Sequence, residues 1–291
     1  MSEYALFVGC VIANRYPHLE KSGRMVLENL RIKFKDIPEF GCCPNPTGTL
    51  QISREAWTAA AAHNLCLAED KGLDILTFCN GCYETLKSAN VEMKNDPHHK
   101  DVVNKILSKV NMEFKGSINV VHFLEYVYKI ITPEKLKETV VKPLTGLRVA
   151  TFYGCHYGRP SSIVDFDDPI RPVSLDRVVE ALGATSVEYL NKHTCCGSAI
   201  SGIDEDSQLI LLKDKLEQID RVKADLICVI CPACYMQLDG NQRKVNSKFG
   251  TNYKIPVLYL TELIALAQGI PPAELGLNFH AVKMKELIEK F

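Results

Sequence analysis

Short apolar runs recur along the chain at 4–8, 73–78, 118–122, 148–153, 226–230 and 257–260. Their length and their rigid, branched or aromatic side chains predict buried β-strands. Between them lie stretches with a helical repeat. Residues 53–71 are alanine-rich and open on Ser53 as a helix N-cap, and residues 204–224 carry apolar side chains at 209, 212, 216 and 219. Strands alternating with helices predict an α/β fold with a mostly parallel sheet flanked by helices in each half. Sites in such sheets gather at the carboxyl ends of strands. Cys10, Cys79, Cys155 and Cys231 each stand just after a predicted strand. The oiliest stretch, 120–131, is broken by His122, Glu125 and Lys129, short of the ~18 apolar residues of a spanning helix, so no transmembrane segment is expected.

The cysteines repeat in two sets. Cys10, Cys42, Cys43, Cys79 and Cys82 form a single cysteine, a pair and a CxxC. Cys155, Cys195, Cys196, Cys231 and Cys234 repeat that layout. The pair-to-CxxC separation is 36 residues in the first set and 35 in the second, and the single-to-pair separation is 32 and 40. Flanking segments repeat as well: 5–10 echoes 150–155, 77–83 echoes 229–235, and 121–125 echoes 258–262. Long-period self-similarity of this kind marks duplication. It predicts two tandem, pseudo-symmetric domains, 1–142 and 143–291, joined through the charged, proline-bearing segment 132–146.

Composition narrows the class. The 291 residues are 46% hydrophobic and 24% charged, which excludes disorder as the main state. The net charge of −1 gives no global attraction to nucleic acid or an anionic membrane. No GxGxxG or GxxxxGK[ST] occurs, so no flavin or nucleotide is expected in this chain. The start, Met1-Ser2-Glu3, lacks the basic region of a targeting signal. A cytoplasmic, reducing setting is expected, where clustered cysteines mean metal or redox chemistry rather than disulfides.

Thiolates favour zinc, copper(I) or iron–sulfur clusters. Five per half exceed the four that one zinc needs, and adjacent cysteines suit neighbouring metals of one cluster. Iron–sulfur is therefore the leading reading, with structural zinc in one or both halves as the alternative. Cys66 and Cys228 fall outside the pattern in apolar surroundings and read as core packing.

With these motifs, Cys10, Cys42-Cys43 and Cys79-x-x-Cys82, then Gly154 to Pro160 with Cys155, Cys195-Cys196-Gly197 and Cys231-x-x-Cys234, the sequence resembles the family of paired cysteine-rich CCG domains. Within it, the B subunits of heterodisulfide reductase from methanogenic archaea are most similar. The resemblance spans essentially the whole chain. One departure is Pro44, which stands where the second pair has Gly197. Proline removes a backbone donor there.

The resemblance implies one noncubane [4Fe–4S] cluster per motif, held by all ten patterned cysteines. It implies an oxidoreductase that reduces the coenzyme M–coenzyme B mixed disulfide to two thiols by one-electron steps. It also implies the C and A subunits of heterodisulfide reductase as partners, with an upstream hydrogenase or formate dehydrogenase. The alternative is an electron-transfer or membrane-docking subunit of a succinate or hydroxy-acid dehydrogenase complex. Two clusters match a two-electron reaction, one electron per half. Arg15, His156, Arg159, Lys192 and His193 are candidate contacts for an anionic substrate, being close in sequence to the cysteines; an isolated lysine such as Lys192 is ordinarily a solvated charge. The segment after Pro271-Pro272 either docks on a partner or caps a domain, with His280 structural.

Overall fold

The structure is a computed structural model and describes residues 3–289. The first half builds a four-stranded parallel sheet from β1 (Glu3–Phe7), β2 (Lys33–Lys35), β3 (Asp74–Thr77) and β4 (Val120–His122), in the order β2-β1-β3-β4. The second repeats it with β5 (Arg148–Phe152), β6 (Thr185–Ser186), β7 (Leu226–Val229) and β8 (Val257–Tyr259), in the order β6-β5-β7-β8. All six expected strands form, the first shifted by one residue and the other five trimmed by one or two. The two missed strands, β2 and β6, are the outer strands next to β1 and β5.

Sequence explains the layering. Central strands read as unbroken apolar runs because helices cover both faces of a parallel sheet; every residue of β7 is buried. Cys228 lies in that strand and Cys66 in a buried helix face, so both pack in the core as expected. The expected helices form as Arg54–Glu69 and Glu205–Arg221. Ser53 Oγ accepts from the Ala56 N–H at 3.1 Å, and Asp204 caps the second helix through the Ser207 N–H.

The halves interlock by exchange. Helix Pro17–Asn29 of the first packs on helix Leu260–Ala267 of the second, whose eight residues are all buried. There the Ser22 and Thr261 hydroxyls bond at 2.8 Å. The converse contact sets helix Ser174–Ala181 on Phe123–Tyr126 and the π-helical turn Val127–Ile131. Between the two contacts, the carboxyl ends of the sheets meet. The segment after Pro271 turns back over the second half and buries Leu275, Leu277, Met284 and Leu287, so it caps rather than projects.

Candidate metal centre

In each sheet the strand order reverses between the first and third strands, and crevices open at such switch points. Cys10 follows β1 and Cys79 follows β3; Cys155 and Cys231 follow β5 and β7. Cys79 and Cys231 are also the N-caps of helices Asn80–Asn95 and Pro232–Gly240. The positive end of each helix thus faces sulfur, which favours thiolates. Gly9 and Gly154 lead into the single cysteines with φ of 80° and 74°. A Cβ at Gly9 would sit 2.8 Å from Cys82 Sγ, and one at Gly154 would sit 3.1 Å from Cys234 Sγ. Glycine is required at both by conformation and by the sulfur beside it.

All ten patterned cysteines line one cavity of about 200 Å³. Their thiols form an unbroken chain of contacts: Cys10, Cys42, Cys43, Cys82 and Cys79, then across the seam Cys231, Cys234, Cys196, Cys195 and Cys155. The Cys196 to Cys234 sulfur distance is 3.6 Å. The pseudo-two-fold passes between Cys79 and Cys231, both of them buried. Cys10 and Cys42 are exposed, while Cys155 and Cys195 are half-buried. Each vicinal pair splits its duty, one sulfur toward the single cysteine and the other toward the CxxC. Hydrogen bonds from neighbouring thiols hold Cys43 and Cys231 well below the usual thiol range and bring Cys195 to about 2. Their donors Cys42 and Cys155 are raised in turn. This donor set fits soft metal ions in number, charge and reach. The other lining residues are mostly apolar or small, including Val8, Val11, Pro46, Ala199 and Ala233.

Of the five candidate substrate contacts, His156 lines this cavity. Its Nδ1 lies 3.8 Å from Glu84 Oε2, a carboxyl raised in pKa by burial. Arg159 and His193 line a smaller cavity behind Cys155, where the Arg159 guanidinium donates to Pro169 O. The exposed Arg15 reaches Met236 Sδ at 3.2 Å. Lys192 is buried rather than solvated, its ammonium held by Asp176 at 2.8 Å and Glu188 at 2.7 Å.

Sequence reading missed four polar groups packed around the sulfurs. Asn80 Nδ2 crosses the seam to Tyr153 O at 2.6 Å. Tyr259 Oη donates across it to Phe78 O, the carbonyl just before Cys79, also at 2.6 Å. His122 occupies the matching end of β4; its Nδ1 accepts from the Leu124 N–H, and burial lowers its pKa to about 4. Lys215 is fully buried behind the second quintet. Its signal was present in the sequence: position 215 falls on the apolar stripe of 209, 212, 216 and 219, where a lysine has no reason to be solvated.

The profile of the CCG family, a cysteine-rich domain, matches residues 4–87 and 149–239. The chain belongs to this family. Over 293 aligned residues it is 42% identical to the B subunit of the ferredoxin/F420H2-dependent CoB-CoM heterodisulfide reductase of Methanosarcina acetivorans, covering 100% of this chain and 97% of that one. It is 34% identical to the 8-methylmenaquinol:fumarate reductase membrane anchor subunit of Wolinella succinogenes, over 98% of this chain and 99% of that one. Among solved structures, a hypothetical protein from Helicobacter pylori shares the fold, with a TM-score of 0.80 and 20% identity. That alignment covers 98% of this chain and 53% of the other, so this chain spans about half of that one. As a CCG protein of the heterodisulfide reductase B type, the chain pairs two cysteine-rich units. No helix among the described residues is long and apolar enough to cross a membrane.

Proposed function

We propose that this chain is the iron–sulfur subunit in which a heterodisulfide reductase cleaves the coenzyme M–coenzyme B mixed disulfide. The observation that carries this reading is the single cavity lined by ten cysteine sulfurs, open toward Cys10 and Cys42. Cys10, Cys42, Cys43, Cys79 and Cys82 would hold one noncubane [4Fe–4S] cluster, and Cys155, Cys195, Cys196, Cys231 and Cys234 the other. When bound, the clusters supply one electron each to a reaction that needs two. The balance is one disulfide, two electrons and two protons to two thiols.

The chain's own residues do the rest. Apolar walls at Val8, Val11, Pro46 and Ala199 exclude water from around the reacting sulfurs. Asn45, Thr47, Ser198 and His156 add polar contacts on the lining. The His156 imidazole on that lining would orient an anionic end of the substrate by hydrogen bonding. Electrons would arrive through the C subunit of the reductase, with its flavin-bearing A subunit and a hydrogenase or formate dehydrogenase upstream.

The similarity to the Wolinella protein favours a second reading, an electron-transfer or membrane-docking subunit of a fumarate- or succinate-linked complex. Two measurements separate these. Anaerobically purified protein is expected to carry about eight irons with matching sulfide. A paramagnetic signal that appears on adding the two coenzyme thiols supports the disulfide chemistry. Iron without that signal favours the second reading, and colourless protein with zinc overturns both.

A further inference from the structure

The two quintets share one layout and differ in what stands behind them. Helix Arg54–Glu69 backs the first and helix Glu205–Arg221 the second, with N-caps Ser53 and Asp204. Counting equally from those caps, Asn64 corresponds to Lys215. Asn64 is neutral and buried; its Oδ1 accepts from the Gly41 N–H at 2.8 Å and its Nδ2 donates to Cys42 O at 3.1 Å. Lys215 is a cation with no exposed surface. Its ammonium donates to Asn191 O and stands 4.3 Å from the Phe152 ring centroid, and no salt bridge to a carboxylate forms among the described residues. An ammonium buried without a counter-ion is costly. Burial lowers the Lys215 pKa to about 8, which leaves the ammonium charged at neutral pH, and the sulfurs of Cys196, Cys234, Cys155 and Cys195 favour that charged form.

A second difference lies beside each cysteine pair and is independent of the first. The Gly197 N–H donates to Cys195 Sγ at 3.3 Å. Pro44 takes that place after Cys43 and has no N–H to give Cys42.

We propose that Lys215 and the Gly197 N–H make the second quintet the higher-potential site, so that the cluster held by Cys155, Cys195, Cys196, Cys231 and Cys234 is reduced before its twin. This rests on the iron–sulfur reading of the ten cysteines. Reduction adds negative charge to a cluster, and fixed positive charge and N–H···S bonds both stabilise the added electron. Water near the exposed Cys10 and Cys42 acts the other way. A whole charge fixed in a dry site outweighs partial hydration of two surface sulfurs, because burial removes the screening. The duplicated protein thereby gains a direction: electrons settle first in the second half.

Redox titration of the anaerobically purified full chain, followed by EPR, tests this. The wild type is expected to show two separate one-electron midpoints. Lys215→Met lowers the higher midpoint by at least tenfold in its equilibrium constant, about 59 mV for one electron, and leaves the lower one in place. Lys215→Arg, which keeps the charge, holds the higher midpoint. Pro44→Gly restores the missing donor and raises the lower midpoint. Coincident wild-type midpoints overturn the proposal, as does Lys215→Met with full iron and unmoved midpoints. If that variant loses iron, Pro44→Gly decides: a lower midpoint that stays fixed also overturns it. Wild-type protein without iron instead removes the underlying reading.

Discussion

The tyrosine that follows each CxxC begins a polar network, and the two networks end differently. In the first half, Tyr83 Oη donates to Glu125 at 2.7 Å, and Lys87 and Lys129 carry that carboxylate toward solvent. In the second, Tyr235 bonds His18 at 3.3 Å, beside the ring of His280. His280 in turn pairs with Glu262 at 2.9 Å, with neither side chain exposed. Glu125 and Glu262 hold matching positions in the repeat. The segment after Pro271, which has no counterpart in the first half, supplies His280 and seals the second network. Duplication has kept the sulfurs in register while their polar surroundings diverged, so function constrains the donor set more tightly than its support.

The largest test of the equivalence is at the seam. Cys79→Ser and Cys231→Ser should each remove about half of the iron, from about eight to about four per chain, measured by metal and sulfide analysis. Loss of all iron from either variant would show that the two sites assemble as one. Next comes the contrast between carboxylates. Glu262→Gln should cost about 3–5 kcal/mol in chemical denaturation, since it strands the buried His280 charge. Glu125→Gln should cost about 1 kcal/mol or less, because its lysine partners keep access to water. Equal losses would break the comparison. Tyr259→Phe, which removes one cross-seam hydrogen bond, should cost about 1 kcal/mol by the same assay.

The smallest effect is in pH. Burial opposes charge on His280, but the Glu262 carboxylate outweighs it and raises the pKa above 6.5. The pair's contribution is therefore complete below pH 6.5 and is lost as pH rises through the folded value. Burial also opposes charge on Asp176, while bonds from Lys192, Ser186 and Thr151 prevail and lower its pKa below 3.8. Its contribution is present above pH 3.8 and fades as pH falls through the folded value. Denaturation midpoints across pH should show the alkaline loss in the wild type and a flatter limb in His280→Gln.

The central strands were legible because burial on both faces writes itself as an apolar run. Strands β2 and β6 were not: Lys33–Lys35 offers one apolar side chain, and Thr185–Ser186 is two residues long. The ten cysteines were legible because spacing survives duplication. Their union in one cavity depends on helices exchanged between halves, which spacing does not encode. Lys192 misled because proximity in sequence says nothing of direction; its ammonium turns to Asp176 and Glu188. Lys215 was legible only through its place on the apolar stripe of its helix, since the residue type by itself reads as surface.

The exchanged helices bear on ancestry. Helix Pro17–Asn29 needs the apolar surface of helix Leu260–Ala267, and Ser174–Ala181 needs that of Phe123–Tyr126. Before duplication, a lone unit would have left both surfaces bare, each complementary to the other. Such a unit satisfies itself only as a homodimer about a true two-fold. Gene fusion then freed the copies to diverge, and a symmetric ancestor could acquire two unequal halves without losing its interface.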